Sequence, residues 1–228
     1  MNSKYLKYAI GEIFLVVVGI LIAIGINNFI QGLEEHDDRV RLTKDLIKEF
    51  ESNQNQIQIV VNNQNNAIYS SFSLIDHMKR YQEAKEDSLR KWSATVGNIW
   101  TFNPQNGVLN NSIASGDILL LKSDSLKNLL FGWEGMTRDI VEEQDRLIRE
   151  FPRVMQVLDR HIQTISAMEY YADKFGESKF PSNYEALMND PQFENVLAYH
   201  STLLMDHTEE LETLKERSLL IRALLEQE

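Results

Sequence analysis

Residues 8–30 read YAIGEIFLVVVGILIAIGINNFI, an apolar run in which Glu12 is the one charged side chain. At 1.5 Å rise per residue, a helix over this run is about 34 Å long, enough to cross a hydrocarbon core of about 30 Å. A cleaved signal peptide also sets lysines, here Lys4 and Lys7, ahead of an apolar run, and Ala23-Ile24-Gly25 would make a poor small-x-small cleavage site. This run outlasts the roughly 7–15 residues of a signal core and carries Glu12 inside it, so it reads as an uncleaved transmembrane helix. The chain then divides into a tail and anchor, residues 1–31, and a helical domain, residues 32–228.

Lys4 and Lys7 flank the run closely, while residues 31–38 carry four acids and no Lys or Arg. Arg39, Arg41, Lys44 and Lys48 follow within 20 residues and weaken the positive-inside asymmetry. The close flank favours a cytoplasmic N-terminus, an anchor in the inner membrane and a periplasmic C-terminal domain. The chain has no cysteine, which excludes a lipoprotein anchor and fits either compartment.

Residues 31–228 hold 21 of the 23 basic and 33 of the 34 acidic side chains, a net charge of −12. That balance argues against nucleic acid as a partner, because phosphate binding needs a basic surface. It equally disfavours lying flat on anionic lipid. About 200 residues can bury a core without disulfides. Ten glycines and four prolines, with no linker-like stretch, point to one helical domain.

Three long apolar seams follow at three-four spacing. One runs through Leu46, Phe50, Asn53, Ile57, Val60, Gln64, Ala67, Ser71, Leu74, Met78 and Tyr81. A second takes Leu126, Leu130, Trp133, Thr137, Ile140, Gln144, Leu147, Phe151, Val154 and Leu158. The third takes Phe193, Leu197, His200, Leu204, His207, Leu211, Leu214, Ser218, Ile221 and Leu225. Residues three and four apart share a helix face, so each pattern forms one stripe. Heptads this long predict near-parallel packing. The fold expected is all-α: one N-terminal transmembrane helix, then an elongated antiparallel bundle of long heptad-patterned helices.

The first seam helix starts just after the membrane and can run on from the anchor, with Gly32 as a candidate hinge. Pro152 should kink the second near Ile148. Ser123 and Asp124 are N-cap candidates for that helix. Residues 176–182 break the chain before a short segment, Asn183 to Asn189, and Asp190-Pro191 opens the last helix with proline at its first position. Trp92 to Lys122 reads as something other than amphipathic helix, with turn signals at Asn103-Pro104 and Asn106-Gly107. Within it, a short helix from Val108 can end at Ser115, capped by a left-handed Gly116, with Asp117 to Leu121 as connector.

Three features together are familiar: Gly11-Glu12-Ile13 and Gly25-Ile26-Asn27-Asn28 at the two ends of the anchor, Phe102-Asn103-Pro104 with Ser115-Gly116-Asp117, and Leu187 with Pro191-Gln192-Phe193. The chain resembles a family of single-pass membrane proteins of Gram-negative bacteria known only as a domain of unknown function. That resemblance covers nearly the whole chain and implies an exported helical domain on an inner-membrane anchor. It carries over no catalytic residue. Members commonly end the anchor with Gln-Ile-Asn-Asn-Trp, where this chain has Gly25-Ile26-Asn27-Asn28-Phe29.

Glu12 is the sharpest single residue, since an ionisable group within a span is costly. It sits only about 7 Å in from Tyr8 along the helix and can reach the headgroups or pair with Lys4, Lys7 or Tyr8. Glu12, Val16, Gly19, Ala23 and Ile26 share a face, and Gly19-xxx-Ala23 is the small-xxx-small pattern of transmembrane contacts. The expected role of Glu12, Gly19 and Ala23 is therefore helix packing within the membrane. His200 and His207 are seven residues apart, a poor metal spacing even with His161 or His77 as a third ligand, and read as core-edge histidines. From Asn53 to Asn66, 10 of 14 residues are Asn or Gln. They form either a solvated face or hydrogen bonds within the bundle, with Asn53 and Gln64 on the seam.

Trp92, Trp100, Phe102 and Trp133, with Asn103, Asn106, Asn110 and Asn111, either line a cleft or cap one end of the core. The cleft set is Trp100, Phe102, Asn103 and Trp133. There is no nucleophile elbow, phosphate loop, His-x-x-x-His or cysteine nucleophile. No enzyme activity, metal or cofactor is expected. The leading expectation is an interaction or scaffold module of the cell envelope, working through another envelope protein or a homo-oligomer. The alternative is a ligand-binding sensor bundle; with about seven residues before the anchor, it would act as a co-receptor for a partner.

Overall fold

The structure is a computed structural model that describes residues 3–80, 85–164, 173–176 and 178–228, with side chains from Glu12 onward. Its regular structure is all helical, with no strand among the described residues. We label the helices α1 (Ser3–Arg80), α2 (Glu86–Val96), α3 (Gly107–Ser115), α4 (Asp124–His161), α5 (Tyr184–Met188) and α6 (Pro191–Leu225), with a 3-10 turn at Asp117–Leu120.

Helix α1 is unbroken over 78 residues, about 117 Å at 1.5 Å per residue. Gly32 does not interrupt it, and from Leu33 to Arg80 there is neither glycine nor proline to do so. Its first part is long and apolar enough to cross a membrane and buries nothing within the chain. Ile13, Leu15, Leu21 and Phe29 are between 63 and 71% exposed.

From Leu46 the same helix turns one stripe inward. Leu46, Phe50, Asn53, Ile57, Val60, Gln64, Ala67, Ser71 and Leu74 are all buried, and Met78 is half-buried. Tyr81, expected to continue the stripe, lies outside the described residues. In α4 the predicted positions are buried except Phe151, which is half-buried; in α6 all ten are buried. Each fully buried leucine or phenylalanine contributes about 1.5–3 kcal/mol relative to exposure.

The core is a column of three connected groups. Phe50, Ile57, Leu130, Trp133, Leu214 and Ile221 cluster at one end. Ala67, Leu147, Leu203 and Leu204 form the middle. Leu74, Val157, Phe193 and Leu197 cluster at the other, with Leu89 and Val96 of α2. Polar pairs follow the same order: Gln54 with Arg222, Gln58 with Lys215, and Gln64 with His207 and Thr208.

Local signals act where the sequence puts them. Ser123 caps α4 by accepting from Leu126 N–H at 3.2 Å. Asp190 caps α6 through Gln192 N–H at 2.8 Å, with Pro191 next, and Asn183 caps α5 through Ala186 N–H. Gly116 ends α3 at φ 87°, a left-handed conformation that favours glycine. Helix α4 continues through Pro152. Ile148, whose carbonyl loses its donor there, is 42% exposed, so water can replace the bond. One expectation needs correction: Trp92 to Val96 are not outside amphipathic helix. They are the second half of α2, which buries Leu89, Ser93 and Val96 at helical spacing.

Candidate functional site

After α2, residues 97–106 run without helix, so their backbone groups need partners from elsewhere. Side chains of α1 and α4 supply them. Asn53 binds Gln105 twice, donating from Nδ2 to its carbonyl at 2.7 Å and accepting its N–H on Oδ1 at 2.8 Å. Gln56 accepts Asn103 N–H at 3.0 Å, Gln144 accepts Phe102 N–H at 2.5 Å, and Gln64 donates to Trp100 carbonyl at 3.4 Å. The Asn/Gln-rich stretch of α1 is thus divided between an outer solvated face and an inner set that holds this strap.

Glu49 completes the arrangement. Its carboxylate is buried and accepts the Val108 and Leu109 N–H groups at 2.6 and 3.0 Å. It thereby serves as the anionic cap of α3, whose own Asn106 provides no side-chain cap. Asn106 instead accepts the Trp133 indole N–H at 2.9 Å. The Trp133 ring meets Phe50 edge-on, with centroids 4.7 Å apart.

These contacts sort the aromatic set. Phe102 and Trp133 are fully buried and cap the core. Asn103 is exposed on the strap, and Asn110 and Asn111 lie on the outer side of α3. Trp100 and Trp92 instead flank an open groove of about 550 Å³ between α1, α2 and the strap, with Asn63, Asn66, Tyr69 and Asn98. Trp100, Phe102, Asn103 and Trp133 therefore do not share one opening. Sequence reasoning missed the groove wall of Ser88, Lys91 and Thr95 along with α2; the Leu89–Ser93–Val96 spacing was the available signal.

A second groove, about 610 Å³, lies between α4 and α6 and is lined by Asp139, Glu143, Asp206, Glu209 and Glu210 with Arg146. Burial pushes the Glu210 carboxyl up, reinforced by Glu143, Asp206 and Asp139. Among the described residues no three His, Cys, Asp or Glu side chains are placed to hold a metal. His200 and His207 are buried, and burial lowers both to about 4, so they are neutral. His207 Nδ1 lies 3.1 Å from Gln64 Oε1. His161 Nε2 lies 2.9 Å from the capping Asp190, and that bond holds the Asp190 carboxyl below its usual range.

On α1, Glu12, Gly19 and Ala23 are exposed, and nothing in the chain approaches Gly19 within 4 Å of where a Cβ would stand. Lys4, Lys7 and Tyr8, considered as partners for Glu12, have side chains outside the described set.

No curated protein matches the chain. No solved structure matches it either. A family profile does match, over residues 12–133, which takes in the apolar run, the inner face of α1, the strap and the start of α4. The chain belongs to that family, described as "Family of unknown function (DUF6090)".

Proposed function

We propose that the chain is a single-pass membrane protein whose helical domain acts as an interaction module. One observation carries the reading: α1 is a single helix whose first part is apolar on every side and whose second part is the central stave of the core. An apolar surface of that length needs a partner outside the chain, and lipid is the partner that fits a helix apolar all round. With no break at Gly32, the domain is held stiffly to the span.

In this reading the domain is an elongated antiparallel bundle with heptad seams. The support is the order of its polar pairs, rising along α1 while falling along α6, and the continuous three-four burial. The close Lys4 and Lys7 flank favours a cytoplasmic N-terminus, an inner membrane of a Gram-negative envelope and a periplasmic domain. Glu12, Gly19 and Ala23 form the face that packs against a second transmembrane helix, of another copy or of an envelope partner.

The native chain lacks cysteine, so single cysteines introduced from residue 12 to residue 26 report cleanly on neighbours in the membrane. Crosslinking should peak at positions 19 and 23 and fall on the opposite face, at Phe14 and Leu21. Equal crosslinking all round the helix contradicts the packing face. Extraction of the intact chain from membranes by alkaline wash contradicts the anchor.

A further inference from the structure

We propose that the groove between α1, α2 and the strap is a saccharide-binding site. This goes beyond the anchoring role and does not depend on it. The chain carries 34 acids and a net charge of −11, yet no carboxylate lines this groove. Its wall is made of aromatic plates, amides and hydroxyls, with Lys91 as the single charge. Its volume falls within the roughly 300–1,000 Å³ of small-ligand sites.

Some polar groups of the wall are tied to their own helix, as Asn63 is to Ile59 carbonyl and Thr95 to Lys91 carbonyl, and others are left for a ligand. Trp92, Trp100, Tyr69, Asn66 and the Lys91 ammonium make no side-chain hydrogen bond among the described residues. Asn98 donates its Nδ2 to Ala94 carbonyl at 2.7 Å, which fixes the amide and leaves its oxygen as an acceptor. The Trp100 backbone is held by Gln64, so the groove wall is preorganised rather than loose. Tyr69 is 66% exposed, an aromatic face presented to solvent with no neighbour to cover it.

Flat aromatic faces beside fixed amide acceptors and free N–H donors suit a ligand with apolar C–H faces and a rim of hydroxyls. A sugar ring has that chemistry. A cationic ligand would find no carboxylate, and a strongly anionic one would find a single lysine. An apolar ligand would cover the amides and indole N–H groups without giving them partners.

The test uses the full chain in micelles of a detergent without a sugar headgroup. It is titrated with chitotetraose and with maltotetraose to about 10 mM, tenfold above a millimolar Kd. Tryptophan emission and calorimetry are read together. The expected result is a saturable emission change with at least one of the two. Trp92→Ala should weaken binding about tenfold and Asn66→Ala several-fold. Tyr199→Ala, on α6, should bind as the native chain does. Asn66 is exposed, so its variant keeps the fold even where loss of Trp92 disturbs α2. A flat titration with both saccharides overturns the proposal, as does native affinity in both groove variants.

Discussion

Two lengths of α1 differ in a way that hydrophobicity alone would get backwards. Between Ile13 and Ile30 the helix is at its most apolar, and none of its side chains is buried within the chain. Between Leu46 and Leu74 it is mixed, with ten of fourteen residues from Asn53 to Asn66 being Asn or Gln, yet one stripe is fully buried. Periodicity, not mean apolarity, decides which side chains find partners within the chain. The all-round apolar surface finds no cover within the chain, so that length needs a partner outside it, which in the proposed reading is lipid.

The largest test of this contrast is a matched pair of truncations. Phe50→Ala removes a fully buried ring packed on Trp133 and should cost about 3–5 kcal/mol. Phe14→Ala, 65% exposed, should leave the domain's unfolding unchanged. Thermal unfolding in micelles followed by circular dichroism compares them. An equal loss from both breaks the comparison.

Acid should act next, and only on the buried length. His200 and His207 have folded values of about 4 against about 6.5 unfolded, so the unfolded chain binds more protons between those values. Their contribution is fully present above pH 6.5 and is lost as pH falls toward 4. Two such groups should lower stability by about 2 kcal/mol between pH 6.5 and 5.5. A double His200→Gln and His207→Gln variant should flatten that slope. Asp190, with its carboxyl lowered, adds stability above its unfolded value that is lost only at lower pH still.

Two smaller effects sharpen the polar side. Asn53→Ala leaves both Gln105 backbone groups without their protein partner and should cost about 1–2 kcal/mol, with faster amide exchange across residues 98–106. Ser123→Ala removes the cap of α4 and should cost about 1 kcal/mol in the same unfolding assay.

The seams were legible because a helix repeats its burial every three to four residues, and the polar members Asn53, Gln64, Thr137 and Gln144 kept the register. Caps at Ser123, Gly116 and Asp190 were legible because they are local chemistry. Helix α2 was not, since only Leu89, Ser93 and Val96 mark a helix of 11 residues. The strap's irregular backbone was legible from Asn103-Pro104 and Asn106-Gly107, but the partners that hold it were not. Asn53 meets Gln105 across 52 positions and Gln144 meets Phe102 across 42, and nothing local announces either pairing. For the same reason Trp92 and Trp100, half-buried and lining the groove, could not be separated in sequence from the fully buried Phe102 and Trp133.

The central claim is that one stiff helix joins the apolar length to the core. The absence of native cysteine makes a double spin label on Asn28→Cys and Lys48→Cys straightforward, one on each side of Gly32 and both exposed. Pulsed electron paramagnetic resonance in micelles should give one narrow distance near 30 Å, the length of 20 helical residues at 1.5 Å each. A broad distribution, or a mean well below that length, would show a hinge at Gly32 and contradict the account.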